Sequence, residues 1–140
     1  TDFGVLKPEE RDELLQKVFR LLKPGGKFIF DVLSDRDLES KITPKVWDLS
    51  ESGFWKNVPY LVLSGSYLYE NEKLILYQHT VIDEEEQVDI YRFWTHFFST
   101  QDLVEILMNA GFQDHQFHDN VLPKGDQWSG DNVIFSVATK

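Results

Sequence analysis

Cysteine is missing from all 140 residues, which excludes disulfide bridges and thiolate-bound zinc. Basic residues are scarce, 14 Lys and Arg against 24 Asp and Glu, for a net charge of -10. Phosphate recognition needs clustered Lys and Arg, so neither a nucleic-acid nor an anionic-membrane partner is expected. No apolar run approaches the roughly 20 residues of a membrane span. No signal peptide opens the chain, and a cytoplasmic location is expected. What is present is 41% hydrophobic residues with 14% aromatics, a balance that favours a packed core over disorder. The length is one domain's worth, and a domain of that size buries roughly two-thirds of its unfolded surface.

Two helices are well marked. Pro8 suits a first turn, Glu9 and Glu10 complement the helix dipole, and Leu14, Leu15, Val18, Phe19 and Leu22 recur at helical spacing. Lys23-Pro24-Gly25-Gly26 stops this helix, and Lys27 to Leu33 follows as a short, mostly apolar run with the look of a buried strand. The second helix begins at an N-cap, Ser99, with Asp102 three positions on. Leu103, Ile106, Leu107 and Ala110 form its apolar stripe, and Gly111 ends it. Phe112 to Asp119 and Asn132 to Thr139 are two further predicted strands.

The middle has another character. Ser34 to Lys56 is polar and irregular with weak periodicity. Three β-rich runs then follow, Pro59 to Tyr69, Lys73 to Ile82 and Val88 to Phe98, separated by spacers short enough for hairpin turns. They predict a three-stranded antiparallel meander within 59–98.

Three stretches carry a family resemblance. "DFGVLKPEERDELLQKVFRLLKPGGKFIFDV" resembles the region from the end of the fourth strand through the fifth strand of class I S-adenosylmethionine-dependent methyltransferases. "FFSTQDLVEILMNAGF" is similar to their next helix and the start of the sixth strand, and "NVIFSVATK" to their closing antiparallel strand. The resemblance implies an α/β fold: a partial Rossmann-like sheet, contributing its last three strands and two main helices, with the meander inserted on the substrate side. It also implies methyl transfer from S-adenosylmethionine to a small-molecule acceptor. Two family features have no counterpart. A G-x-G-x-G loop after the first strand, which holds the cofactor, is missing, since Gly25-Gly26 ends a helix rather than opening one. So is the acidic residue of the second strand that grips the ribose. The chain is therefore expected to be a C-terminal fragment, one domain over 1–140, inactive and unable to bind the cofactor by itself.

Candidate residues follow from the resemblance and from alternation. Asp2 and Phe3 match the family positions that approach the cofactor, against the simpler expectation that they fray as terminal residues. Asp31 lies inside the first strand, where a buried carboxylate is costly unless paired. Asp35 lies just beyond it, at the strand end where open α/β sheets place ligands; a solvated loop acid is the alternative. In "YRFWTHF" one face carries Arg92, Trp94 and His96. Arg92, Trp94, Tyr67 and Asp35 are the expected substrate contacts and His96 the expected catalytic residue, with Tyr69, Tyr77 and His79 as possible additions from neighbouring strands. The competing reading is that these aromatics pack the sheet. His115 and His118 sit three apart, on opposite faces of a strand, so they cannot share a metal and none is expected. Two rival functions stay open: a non-catalytic binding or assembly domain, and another open α/β enzyme. An unpaired edge on the strand Lys27 to Leu33 would template a second strand, so a homodimer is expected.

Overall fold

The computed structural model describes residues 2–123, 125 and 129–140. In chain order its elements are α1 (Pro8–Leu21), β1 (Lys27–Ser34), β2 (Val46–Ser50), β3 (Tyr60–Tyr69), β4 (Leu74–Asp83), β5 (Val88–Phe98), α2 (Thr100–Asn109), β6 (Asp114–His118) and β7 (Val133–Thr139), with short 3-10 turns at Asp2–Val5, Leu38–Lys41 and Gly130–Asn132. They fall into two compact units, Thr1–Lys41 with His96–Lys140, and Ile42–Thr95.

The first unit is an α/β arrangement. The Lys7 N–H donates to the Glu10 carboxylate at 2.9 Å, closing the first turn of α1 behind Pro8. Ser99 and Asp102 form a reciprocal cap on α2, with N–H···O distances of 2.7 and 3.1 Å. Gly111, at φ 103°, ends that helix in a conformation that costs other residues a Cβ clash. A Cβ there would also lie 3.0 Å from the ring of Phe19. The apolar stripes of both helices meet in one core: Leu15, Leu103, Leu107 and Phe112 are fully buried, with Val32, Ile134 and Ala138 of the strands.

β7 runs antiparallel to β1 from Lys27↔Thr139 to Leu33↔Val133, and β6 pairs antiparallel with β7 on its far side. The opposite edge of β1 is met by β5, in parallel, only at Leu33↔Phe97 and Ser34↔Phe98. No other described strand pairs with that edge from Lys27 to Val32, and Ile29 is 63% exposed.

The second unit is antiparallel. β3 and β4 pair along ten positions, Tyr60↔Asp83 to Tyr69↔Leu74, and β5 follows β4 as its neighbour after a tight turn. The Asp83 carboxylate shapes that turn by accepting from the N–H groups of Glu85 (3.0 Å) and Gln87 (2.9 Å). The expected meander gains a fourth strand, β2, which pairs antiparallel with β3 from Val46↔Ser64 to Ser50↔Tyr60. The irregular reading of 34–56 missed it because a five-residue edge strand, exposed over most of its length, carries no strong alternation.

Candidate functional site

In the first unit the loops after β1 are fixed by buried polar groups. Ser34 is fully buried and its hydroxyl donates to the Asp131 carbonyl at 2.9 Å. Lys41, with 0% exposure, donates to the Arg36 carbonyl and to Asn132 Oδ1 at 2.9 Å. Burial lowers the pKa of its ammonium, while Asp37, Asp131 and Asp35 act to raise it. Arg36 also pairs with Asp119. Asp35 itself is exposed, anchored only through its backbone N–H on the Phe98 carbonyl at 3.0 Å. The strand end therefore presents an exposed carboxylate within electrostatic reach of the buried Lys41 ammonium.

His96 also belongs to this unit. Its Nδ1 is 3.0 Å from the Gly4 carbonyl. A carbonyl only accepts, so it selects the Nδ1–H tautomer and leaves Nε2 as a proton acceptor. Burial holds the ring below its ordinary pKa, against the opposing effect of the Gly4 carbonyl and with a smaller contribution from the Arg11 charge. The imidazole is thereby a neutral base near pH 7. Arg11 is 7% exposed; its guanidinium lies 5.0 Å over the Phe98 ring, and burial lowers its pKa.

Phe3 is not frayed. It is buried, with its ring 4.5 Å from Phe30 and 6.1 Å from Phe98, because the 3-10 turn Asp2–Val5 lays it against β1. Asp2 is exposed and, with the half-buried Asp31, lines an otherwise apolar hollow of about 330 Å³ over Phe28 and Phe30. His115 and His118 take opposite sides of β6: His115 lies 5.4 Å from Phe117, while His118 is exposed.

In the second unit the sheet has two distinct faces. On one, Arg92 Nε donates to Gln78 Oε1 at 2.9 Å and the Trp94 ring lies 5.8 Å from Tyr69. Tyr67 and Gln78 line a hollow of about 250 Å³ between Lys45, Trp47, Gly65 and Thr80. The expected additions Tyr77 and His79 lie on the other face. The register Gly65↔Gln78 and Ser64↔His79 sets the alternation, and one step along β4 reverses the side. Tyr77 is buried there, its phenol pushed up to about 12 by burial. The His79 Nδ1 is 2.8 Å from the Ser64 hydroxyl, and its ring sits 5.0 Å from Trp55 and 5.9 Å from Phe93. Trp55 stacks in turn near Tyr91 at 4.8 Å. Burial again lowers the imidazole pKa.

Sequence reasoning missed Lys41, because lysine is almost never fully buried and nothing in its neighbourhood announces a cavity for it. It also missed the hollow over Gly65, since that hollow needs β2, in a stretch read as irregular, to pair beside β3 and β4. The signal within reach was the small residue in Leu63-Ser64-Gly65-Ser66-Tyr67, which interrupts a strand where a close approach needs room.

No family model matches the sequence, and no curated protein matches it. Solved structures do resemble the fold. The CcbJ methyltransferase from Streptomyces caelestis aligns with 97% of this chain and 52% of its own, at TM-score 0.62 and 17% identity. An S-adenosylmethionine-dependent methyltransferase from Clostridium acetobutylicum aligns with 98% and 54%, at 0.62 and 13%. The SAM-bound amino pentose methyltransferase CalS10 from Micromonospora echinaspora, involved in calicheamicin biosynthesis, aligns with 100% and 55%, at 0.60 and 13%. The chain thus has an α/β fold shared with S-adenosylmethionine-dependent methyltransferases, and it spans about half their length. Among the described residues no helix is long and apolar enough to cross a membrane.

Proposed function

We propose that this chain is the C-terminal, acceptor-side part of an S-adenosylmethionine-dependent methyltransferase acting on a small molecule, and that it is inactive alone. The observation that supports the reading is the alignment of nearly the whole chain with about half of each of those methyltransferases. Its residues do not fit the cofactor by themselves. The N–H groups of Gly25 and Gly26 donate to the carbonyls of Lys140 (2.6 Å) and Lys23 (2.8 Å), so the chain's one pair of adjacent glycines is engaged in the turn between α1 and β1 and its contact with the end of β7. The cofactor's grip is therefore assigned to residues outside this chain, with Asp2 and Phe3 as the positions nearest to it by family likeness.

Methyl transfer from a sulfonium requires alignment of the acceptor and, for a protonated acceptor, a base. His96 is assigned as that base, since its tautomer leaves Nε2 able to accept a proton. Arg92, Trp94, Tyr67 and Asp35 are assigned to the acceptor. The test is radiometric methyl transfer by the protein expressed together with its natural upstream sequence. His96→Ala should lower turnover by 10²-fold or more with little change in melting temperature, and equal loss of both would support a packing role.

The same reading leaves a surface to cover. A strand edge that no described strand pairs with, beside an exposed Ile29, is a template for another chain. The isolated chain is proposed to form a two-fold dimer through this edge of β1. Light scattering that shows a monomer at all attainable concentrations would remove that proposal.

A further inference from the structure

The hollow of about 250 Å³ over Gly65 has a composition at odds with the chain around it. The protein carries 24 acidic side chains and a net charge of -10, yet among the described residues no carboxylate lines this hollow and a lysine does. Lys45 lies with its stem against Gly65, its Cγ 3.4 Å from where a Cβ on that glycine would sit. Among the described residues Lys45 makes no ion pair. Among the described residues, then, its ammonium has no anion to neutralise it.

The other polar groups present donors too. Gln78 Oε1 accepts from Arg92 at 2.9 Å, which fixes the amide and leaves its N–H groups as what it has to offer. Arg92 adds a second positive charge beside the lining. Tyr67 and Thr80 supply hydroxyls. At the rim stands Trp47, 72% exposed, a large flat ring with no internal partner covering most of its area. A concave site with a few convergent polar groups and an aromatic wall is the usual form of a small-molecule site.

We propose that this hollow binds the carboxylate of a small, ring-bearing acceptor, with Lys45 and the Gln78–Arg92 pair holding the anion and Trp47 the ring. The assignment rests on the acceptor-side reading given above and deepens it by naming the chemical class. Lysine and a fixed amide give charge-assisted and neutral hydrogen bonds to a carboxylate, and the indole face supplies apolar contact. Gly65 matters because any side chain there would enter the space the ligand needs.

The test is a titration of the full chain, without cofactor, followed by two-dimensional amide NMR. Benzoate is the probe, with benzamide as its neutral counterpart and benzylamine as its cationic one. Benzoate should shift the Gly65 N–H and the Trp47 indole N–H saturably. Benzamide should bind about tenfold more weakly, the loss of one charge-assisted hydrogen bond, and benzylamine more weakly still. Lys45→Gln and Gly65→Ala should each weaken benzoate binding several-fold while leaving the rest of the spectrum in place. A Gly65→Ala chain that does not fold would be replaced by Lys45→Gln and Thr80→Val, both at surface-accessible positions. Equal binding of benzoate and benzamide, a preference for benzylamine, saturable shifts confined to another region, or no saturable shift would each overturn the proposal. Because no turnover is measured, a negative titration leaves the methyltransferase reading standing, and a failure of methyl transfer leaves the titration untouched.

Discussion

The two units spend their aromatic and charged residues in opposite ways. In the first, Phe3, Phe30, Phe98 and Phe112 are drawn into a core with Leu15, Leu103 and Leu107, and even Lys41 and Arg11 are taken out of water. In the second, Tyr67, Tyr69, Tyr91, Phe93, Trp94 and Trp47 all keep a third or more of their area exposed. Burial stabilises at about 25 cal/mol per Å², so aromatic surface left open forgoes stability that the first unit collects. These exposed rings are spread over β2, β3 and β5 and over both faces of the sheet, and large exposed apolar patches mark interaction surfaces. The first unit is built to hold a shape, and the second to present one.

Substitutions can break or sharpen that contrast. The largest effect belongs to Phe112→Ala, which empties a fully buried site against the edge of Phe19 at 5.0 Å. It should cost about 3–5 kcal/mol in urea unfolding; a loss under about 1 kcal/mol would mean the core is not packed as described. Lys41→Ala should follow, at about 3 kcal/mol, because the Arg36 carbonyl and Asn132 Oδ1 lose a buried donor. Trp55→Ala, at a half-buried ring over Val62 and Val81, should cost about 2 kcal/mol and release His79 from its stack.

The next effect is one of pH. His79 and His96 both titrate below the ordinary 6.5 because burial disfavours their charged forms. As pH falls through 6.5 the unfolded chain takes up these protons before the folded chain does. The histidine contribution is thus complete above that pH and declines below it, so the melting temperature should fall between pH 7.5 and 5.5. His96→Gln should flatten part of that fall. A melting temperature that rises on acidification over this range would contradict the buried, neutral assignment. The smallest effect is expected at the exposed ring: Trp47→Ala should change stability by under about 0.5 kcal/mol while abolishing most of the benzoate-induced shift.

How much of this was legible in the sequence differs between the units for the same physical reason. Helix periodicity, the Pro8 start, the Ser99–Asp102 cap and the Gly111 stop are local signals, and α1 and α2 formed where they pointed. β1 was legible as an apolar run, but the buried strand it suggested is fully buried only at Val32 to Ser34, with Lys27 and Ile29 exposed. In the second unit, alternation sorted Arg92 and Trp94 onto one face correctly, but it could not say which residues of β4 join them. That depends on register, which is set by pairing between strands: Gln78, not His79 or Tyr77, became the neighbour of Arg92. Phe3 was expected to fray as a terminal residue, and is instead buried against Phe30. Its burial depends on a tertiary contact 27 residues away, which no local pattern encodes.

The central claim, that this chain is the acceptor side of a methyltransferase and leaves cofactor binding to residues outside it, is tested most directly by calorimetric titration of S-adenosylmethionine into the 140-residue chain. The glycine N–H groups at Gly25 and Gly26 are already engaged by Lys140 and Lys23, and the chain's described acids include none placed after a Gly-rich loop. The expected result is no saturable heat up to millimolar ligand. Saturable one-to-one binding with micromolar affinity would contradict the claim.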